Sequence, residues 1–158
     1  MIKITIDTNI LSKQKLLDLC KRMGFCVFVV TVTEREIDGT SFQDIVKKLD
    51  RILEIGVWGE SSWGKFVWAD DSEAKDLEKI LGVISNKSFP VPGKRDNLSK
   101  GQRKQLRDAM VLLAHTRNKR DIFVSNDETA FIRYGRREQL EKMFKIKIMN
   151  ENDFIKEY

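Results

Sequence analysis

With 158 residues, 41% of them hydrophobic and 34% charged, the chain has the size and composition of a single globular domain with one core, which excludes disorder and a two-domain layout. No apolar stretch approaches the roughly 18 residues needed to span a bilayer, and Met1-Ile2-Lys3-Ile4 runs into a strand rather than a signal peptide. The net charge of +5 is unevenly spread: residues 94 to 120 hold nine Lys or Arg against two Asp, a local +7 that leaves the rest at −2 and looks like a phosphate-binding surface.

In chain order, Ile2 to Ile6 reads as a β-branched strand. Apolar residues from Ile10 to Met23 then recur at helical spacing, with Thr8 or Asn9 able to cap the start and Gly24 the end. Phe25 to Val30 is a continuous apolar run, as expected of a strand buried on both faces. Thr31 or Thr33 can cap a short helix that carries Glu36 and ends at Gly39. Phe42, Ile45, Val46, Leu49, Ile52 and Leu53 predict an amphipathic helix stopped by Gly56. From Val57 to Asp71, glycines and three tryptophans suggest two short strands around a turn. Ser72 to Ser85 reads as a helix, and Asn86 to Asn97, with Pro90, Pro92 and Gly93, as a loop.

Ser99-Lys100-Gly101-Gln102 fits a capping box that opens a helix to about Asn118. A strand at Ile122 to Ser125, a short helix from Asp127 to about Arg133, a polar helix or turn from Gly135 to Phe144, a strand at Ile146 to Met149 and a terminal helix from Asn152 complete the chain. Strands alternating with helices predict an α/β fold: a mostly parallel central sheet of four to five strands, flanked by helices as a three-layer α/β/α arrangement. Cys20 and Cys26 lack metal-site spacing and fall in apolar runs, so buried thiols in a reducing cytoplasm are expected.

Three acids sit where strands end: Asp7 after Ile2 to Ile6, Glu36 past Phe25 to Val30, and Asp127 after Val124-Ser125-Asn126. Open α/β sheets bind ligands at the carboxyl ends of their strands, so these acids are expected in one crevice. A fourth, Asp108, lies on a helix that is apolar nearly all round, and a carboxylate on so buried an element is normally paired or metal-bound. Converging carboxylates repel, and a hard divalent cation such as Mg²⁺ or Mn²⁺ is the usual counterweight. The bland alternatives are helix capping by Asp7 or Asp127, a solvated Glu36, and an Asp108 paired with Arg103 or Arg107.

Taken in order, Ile4-Thr5-Ile6-Asp7-Thr8-Asn9, Arg35-Glu36-Ile37-Asp38, Asp108 to Ala114 and Phe123-Val124-Ser125-Asn126-Asp127 resemble the acidic motifs of PIN domains, the family of the VapC-type ribonuclease toxins and of RNA-processing nucleases. The resemblance runs from residue 2 to about 150. It implies a Mg²⁺- or Mn²⁺-dependent endoribonuclease whose catalytic and metal-holding acids are Asp7, Glu36, Asp108 and Asp127. Asn9, Ser125 and Asn126 take the family's supporting polar positions. It also implies a homodimer and, for a toxin, an antitoxin protein that covers the cleft. Glu34 competes with Glu36 for the second acid, and Arg-Glu-Ile-Asp favours Glu36. The segment around 57–97 is longer and more aromatic than in a minimal member, so an insertion in the single domain is expected there.

Arg103, Lys104, Arg107, Arg117 and Lys119 are expected to guide an RNA backbone toward the acids. No Walker-type glycine loop and no nucleophilic Ser or Cys with a plausible partner is present, so the chemistry rests on the acids. The only histidine, His115, lies about 10 Å along the helix from Asp108 and is read as packing or capping. Trp58, Trp63 and Trp68 could stack on bases, although packing in the core or at an interface is favoured. Two competing classes remain: a non-catalytic RNA-binding module on the same fold, and a phospho-acceptor domain built on Asp7, which usually has a second Asp where this chain has Asn9.

Overall fold

The alternation of apolar strands and helices closes into a five-stranded, all-parallel sheet covered on both faces. A computed structural model describes residues 1–158. The chain runs β1 (Lys3–Ile6), α1 (Gln14–Arg22), β2 (Cys26–Val30), α2 (Thr31–Glu36), α3 (Gln43–Val46), β3 (Asp50–Ile52), β4 (Glu54–Ile55), β5 (Phe66–Val67), α4 (Asp71–Ile84), α5 (Lys100–Arg117), β6 (Ile122–Val124), α6 (Arg136–Phe144), β7 (Lys147–Met149) and α7 (Glu151–Glu157). A 3-10 turn at Thr8–Ile10 follows β1, and a short π-helix at Glu128–Ile132 follows β6.

The sheet order is β3-β2-β1-β6-β7, and β4 with β5 forms a separate two-stranded piece. The order reverses at β1: β2 lies on one side of it and β6 on the other. A crevice at the carboxyl ends of β1 and β6 is where such a sheet binds ligands.

Period-two alternation divides the core between the two faces. Phe123 packs with Leu81, Leu106, Met110 and Phe131 under α4, α5 and α6. Its neighbours Ile122 and Val124 face the other way, onto Leu16, Cys20 and Phe154 of α1 and α7. Phe123 and Phe131 meet edge-on with centroids 5.0 Å apart, and truncating either to alanine should cost about 3–5 kcal/mol. Both long helices carry complete capping boxes, Asp70 with Glu73 on α4 and Ser99 with Gln102 on α5. No helix is long and apolar enough to cross a membrane.

Three expectations need correction. The amphipathic helix over Phe42 to Leu53 is helical only at Gln43–Val46, and Asp50–Ile52 is instead the outer strand of the main sheet. Its register on β2, Phe28 opposite Asp50 and Val30 opposite Ile52, satisfies backbone groups that β2 would otherwise leave open at an edge. The helix expected from Ile10 begins only at Gln14, because Asp7 caps a separate turn first. Cys20 is buried, with its thiol pushed up to about 11 by burial, whereas Cys26 is only half-buried on β2.

Candidate functional site

Strand ends deliver two of the four acids to one place. The backbone of Asp7 extends the β1–β6 pairing, its N–H donating to the Val124 carbonyl at 3.0 Å. Its side chain is buried and accepts three hydrogen bonds: from the Thr8 N–H at 2.8 Å, the Asn9 amide at 2.7 Å and the Ser125 hydroxyl at 2.6 Å. Ser125 also accepts from the Asp127 N–H at 3.0 Å, so one hydroxyl spans the first and fourth acids. Asn9 closes the ring, its carbonyl oxygen accepting from the Asn126 N–H at 2.8 Å.

Asp127 has two jobs at once. One oxygen caps the π-helix, accepting from the Ala130 N–H at 2.8 Å, and the other takes the Lys104 ammonium. The same ammonium reaches Asp108 at 3.0 Å, one turn further along α5. Glu36, at the exposed end of α2, accepts from the Thr8 hydroxyl, the residue after Asp7. The capping alternatives for Asp7 and Asp127 are therefore true as far as they go, since each acid caps a turn and also joins the cluster.

Electrostatics tie the four together. Burial raises the Asp7 carboxyl above its usual range against its hydrogen bonds, with the Asp127 charge adding to the rise. Burial, reinforced by the Asp7 charge, pushes Asp108 up to about 7 against the pull of Lys104. Glu36 keeps an exposed edge, yet the atoms packed round its carboxyl raise it by partial desolvation against the Thr8 hydrogen bond, and the Asp7 charge adds to the rise. Burial works against ionised Asp127 as well, but Lys104 and the backbone donors prevail and lower it. Burial likewise opposes the Lys104 charge, yet its two carboxylates outweigh that and raise it.

Lys104, at the mouth of the crevice, is the one cation paired directly with these carboxylates, and it reaches only Asp108 and Asp127. As the side chains stand, no three acidic, histidine or cysteine groups are close enough to hold one ion, and Lys104 stands between two of the four. The donors are all hard oxygens and the site is short of positive charge, so their chemistry fits a Mg²⁺- or Mn²⁺-like ion.

Other expected residues divide sharply. Asn126 turns away from the crevice and pairs with Glu151 at the start of α7 through both ends of its amide. Glu34 is held by Arg51 at 3.2 Å and Lys65 at 3.0 Å, away from the acids, which favours Glu36 as the second acid. Arg103 shares a cleft with Trp58, and Arg107 pairs with Glu60 at 3.1 Å beside the crevice. Arg117 ends α5 and Lys119 lies just past it, about 20 Å along its axis from Lys104. Arg117 is paired there with Glu73 at 2.7 Å. His115 is fully buried against Phe123 with neither ring nitrogen partnered, and burial lowers it to about 3. It is a packing residue.

Sequence reasoning missed two participants. Thr8 was assigned to a helix start, yet its hydroxyl links the Asp7 turn to Glu36 and lies 3.3 Å from the Thr33 hydroxyl. Lys104 was assigned to the RNA-guiding surface, yet it sits among the acids. Its spacing of four from Asp108 on a helix was the available signal. Compared with known proteins, the chain matches no family model and no curated protein.

Proposed function

We propose that this protein is a divalent-metal-dependent endoribonuclease of the PIN type, hydrolysing phosphodiester bonds of RNA. The observation that carries the reading is the meeting of Asp7, Glu36, Asp108 and Asp127, brought from four separate elements to the carboxyl edge of a parallel sheet at its reversal point. Structural acids do not need to share a crevice, and sharing one is unfavourable unless a cation offsets the repulsion.

Asp7, Asp108, Asp127 and Glu36 would hold Mg²⁺ or Mn²⁺, which acidifies a water to supply hydroxide near neutral pH and offsets charge on the phosphodiester. The protein's own groups do the rest. Ser125 and Asn9 fix the Asp7 carboxylate in one orientation, and Thr8 does the same for Glu36. Lys104 is an ammonium on a long flexible stem, more than half exposed, that can turn from the carboxylates to a phosphate oxygen once they have another partner. Arg103 and Arg107 draw the polyanion to the crevice.

The test is cleavage of a single-stranded RNA with and without Mn²⁺. Metal-dependent cleavage that EDTA stops and Asp7→Asn abolishes is the expected result. RNA binding without cleavage at any metal concentration would leave the non-catalytic module instead. A phospho-aspartate trapped on Asp7 would point to the phospho-acceptor reading.

A further inference from the structure

Trp58, Trp63 and Trp68 are 99%, 84% and 75% exposed, although tryptophan is ordinarily among the most protected side chains. They stand together on the two-stranded piece and its connecting loop. Phe66 forms the base of the cluster, with its ring centroid 5.7 Å from Trp63 and 5.1 Å from Trp68. Gly56 lies flat against that ring: a Cβ there would come within 2.4 Å of it. The cluster encloses an open cleft of about 390 Å³.

The loop is fastened rather than trailing. The Val57 N–H donates to the Ser61 hydroxyl at 2.9 Å, and the Gly56 N–H to the Val67 carbonyl at 2.8 Å. Two further ties run to the elements that carry the acids. The Thr31 hydroxyl of α2 donates to the Lys65 carbonyl at 2.7 Å, and Arg107 of α5, next to Asp108, pairs with Glu60. The aromatic rim is therefore indexed to Glu36 on one side and Asp108 on the other. The charges around it are mostly paired, and Arg103 is the cation left free. Trp58 and Arg103 line the same cleft, Glu60 is neutralised by Arg107, and Glu34 by both Arg51 and Lys65.

Exposed flat rings beside the unpaired Arg103 guanidinium suit a polyanion that carries flat rings of its own. Bases present their faces for stacking only when unpaired, because a duplex keeps them inside. We infer that Trp58, Trp63 and Trp68 form a stacking platform for unpaired bases of single-stranded RNA, whose backbone then passes over Arg103 and Arg107 to the acidic crevice. The inference rests on the nuclease reading for its polyanion and adds the place where the strand is held, outside the acidic crevice.

The experiment is equilibrium binding in EDTA, where no cleavage occurs, followed by the fluorescence anisotropy of end-labelled probes, with tryptophan emission as a second readout in the wild type, whose only tryptophans are these three. The probes are a short oligouridylate, an adenosine–uridine duplex of equal length, and an abasic ribose-phosphate oligomer. The oligouridylate is expected to quench the fluorescence and to bind at least about tenfold more tightly than either control. In the triple variant Trp58→Ala/Trp63→Ala/Trp68→Ala, its affinity is expected to fall by about tenfold or more. The variant should melt at the wild-type temperature, since the three side chains are exposed.

Equal affinity for the three probes overturns the inference, as does an unchanged affinity in the triple variant. A wild-type dimer that the triple variant turns into a monomer in sedimentation also overturns it and makes the rim a self-association surface. Binding that follows the expected pattern, with no Mn²⁺-dependent cleavage, would sink the catalytic reading while leaving the platform standing.

Discussion

Asp108→Asn should make the metal-free protein more stable at pH 8 while destroying its activity. Asp108 is 8% exposed, and its carboxyl is raised from 3.8 to about 7 by burial and by Asp7. An acid raised in the folded state binds more protons there than in the unfolded chain. Stability is therefore fully present below the unfolded value and declines as pH rises through the interval from about 4 to about 7. At roughly 1.4 kcal/mol per unit, keeping Asp108 ionised at pH 8 costs the fold up to about 4 kcal/mol, with the Lys104 attraction already included. Asparagine removes that cost, so the variant should gain about 2–4 kcal/mol, or roughly 5–15 °C in Tm for a chain of this length. At pH 5 the gain should shrink to about 1.5 kcal/mol, because most folded wild-type molecules are then protonated at this position. The assay is thermal or urea unfolding in EDTA at both pH values, repeated with Mn²⁺. Metal should stabilise the wild type more than the variant, narrowing or reversing the order. A variant no more stable than wild type at pH 8 in EDTA would refute the view that burial of the Asp108 carboxylate outweighs its pairing with Lys104.

Glu36→Gln should lower the cleavage rate about tenfold, equivalent to roughly 1.4 kcal/mol in the barrier. Glu34→Gln, whose carboxylate is taken up by Arg51 and Lys65, should leave the rate unchanged; equal losses would reopen the assignment of the second acid. Ser125→Ala removes the hydroxyl shared by Asp7 and the Asp127 N–H. It should cost about 1–3 kcal/mol in urea unfolding and about tenfold or more in Mn²⁺ affinity by calorimetry. Arg35→Met strands the fully buried Glu54, whose carboxyl burial already raises against the pull of Arg35. A loss of about 3–5 kcal/mol is expected at pH 8, shrinking as the pH falls and Glu54 takes up a proton; a loss independent of pH would assign the role to packing instead.

The central sheet was legible because β1, β2, β6 and β7 are short apolar runs punctuated by turns, and Asp7 and Asp127 because they close such runs, whereas Glu36 lies one short helix beyond β2. Asp108 was legible as a charge on a helix with no polar face. β3 was not, because Asp50-Arg51-Ile52 has no strand pattern of its own and is extended only by the open edge of β2. Lys104 was hidden by its company: it is one of nine basic residues in the 94–120 segment, and its spacing of four from Asp108 is a weak signal among them. The tryptophans misled for a related reason. Their residue type argues for burial, and their exposure depends on Phe66 and Gly56 supplying a base beneath them.

The buried Arg35–Glu54 pair joins α2 directly to β4, one residue before Glu36. On the proposed reading, gripping point and cutting point are mounted on a single bracket. A strand held by its bases at the rim would meet the acids a constant number of nucleotides away, so its fragments would share a uniform offset, and lengthening the loop between β4 and β5 would reset that interval like a moved stop on a ruler.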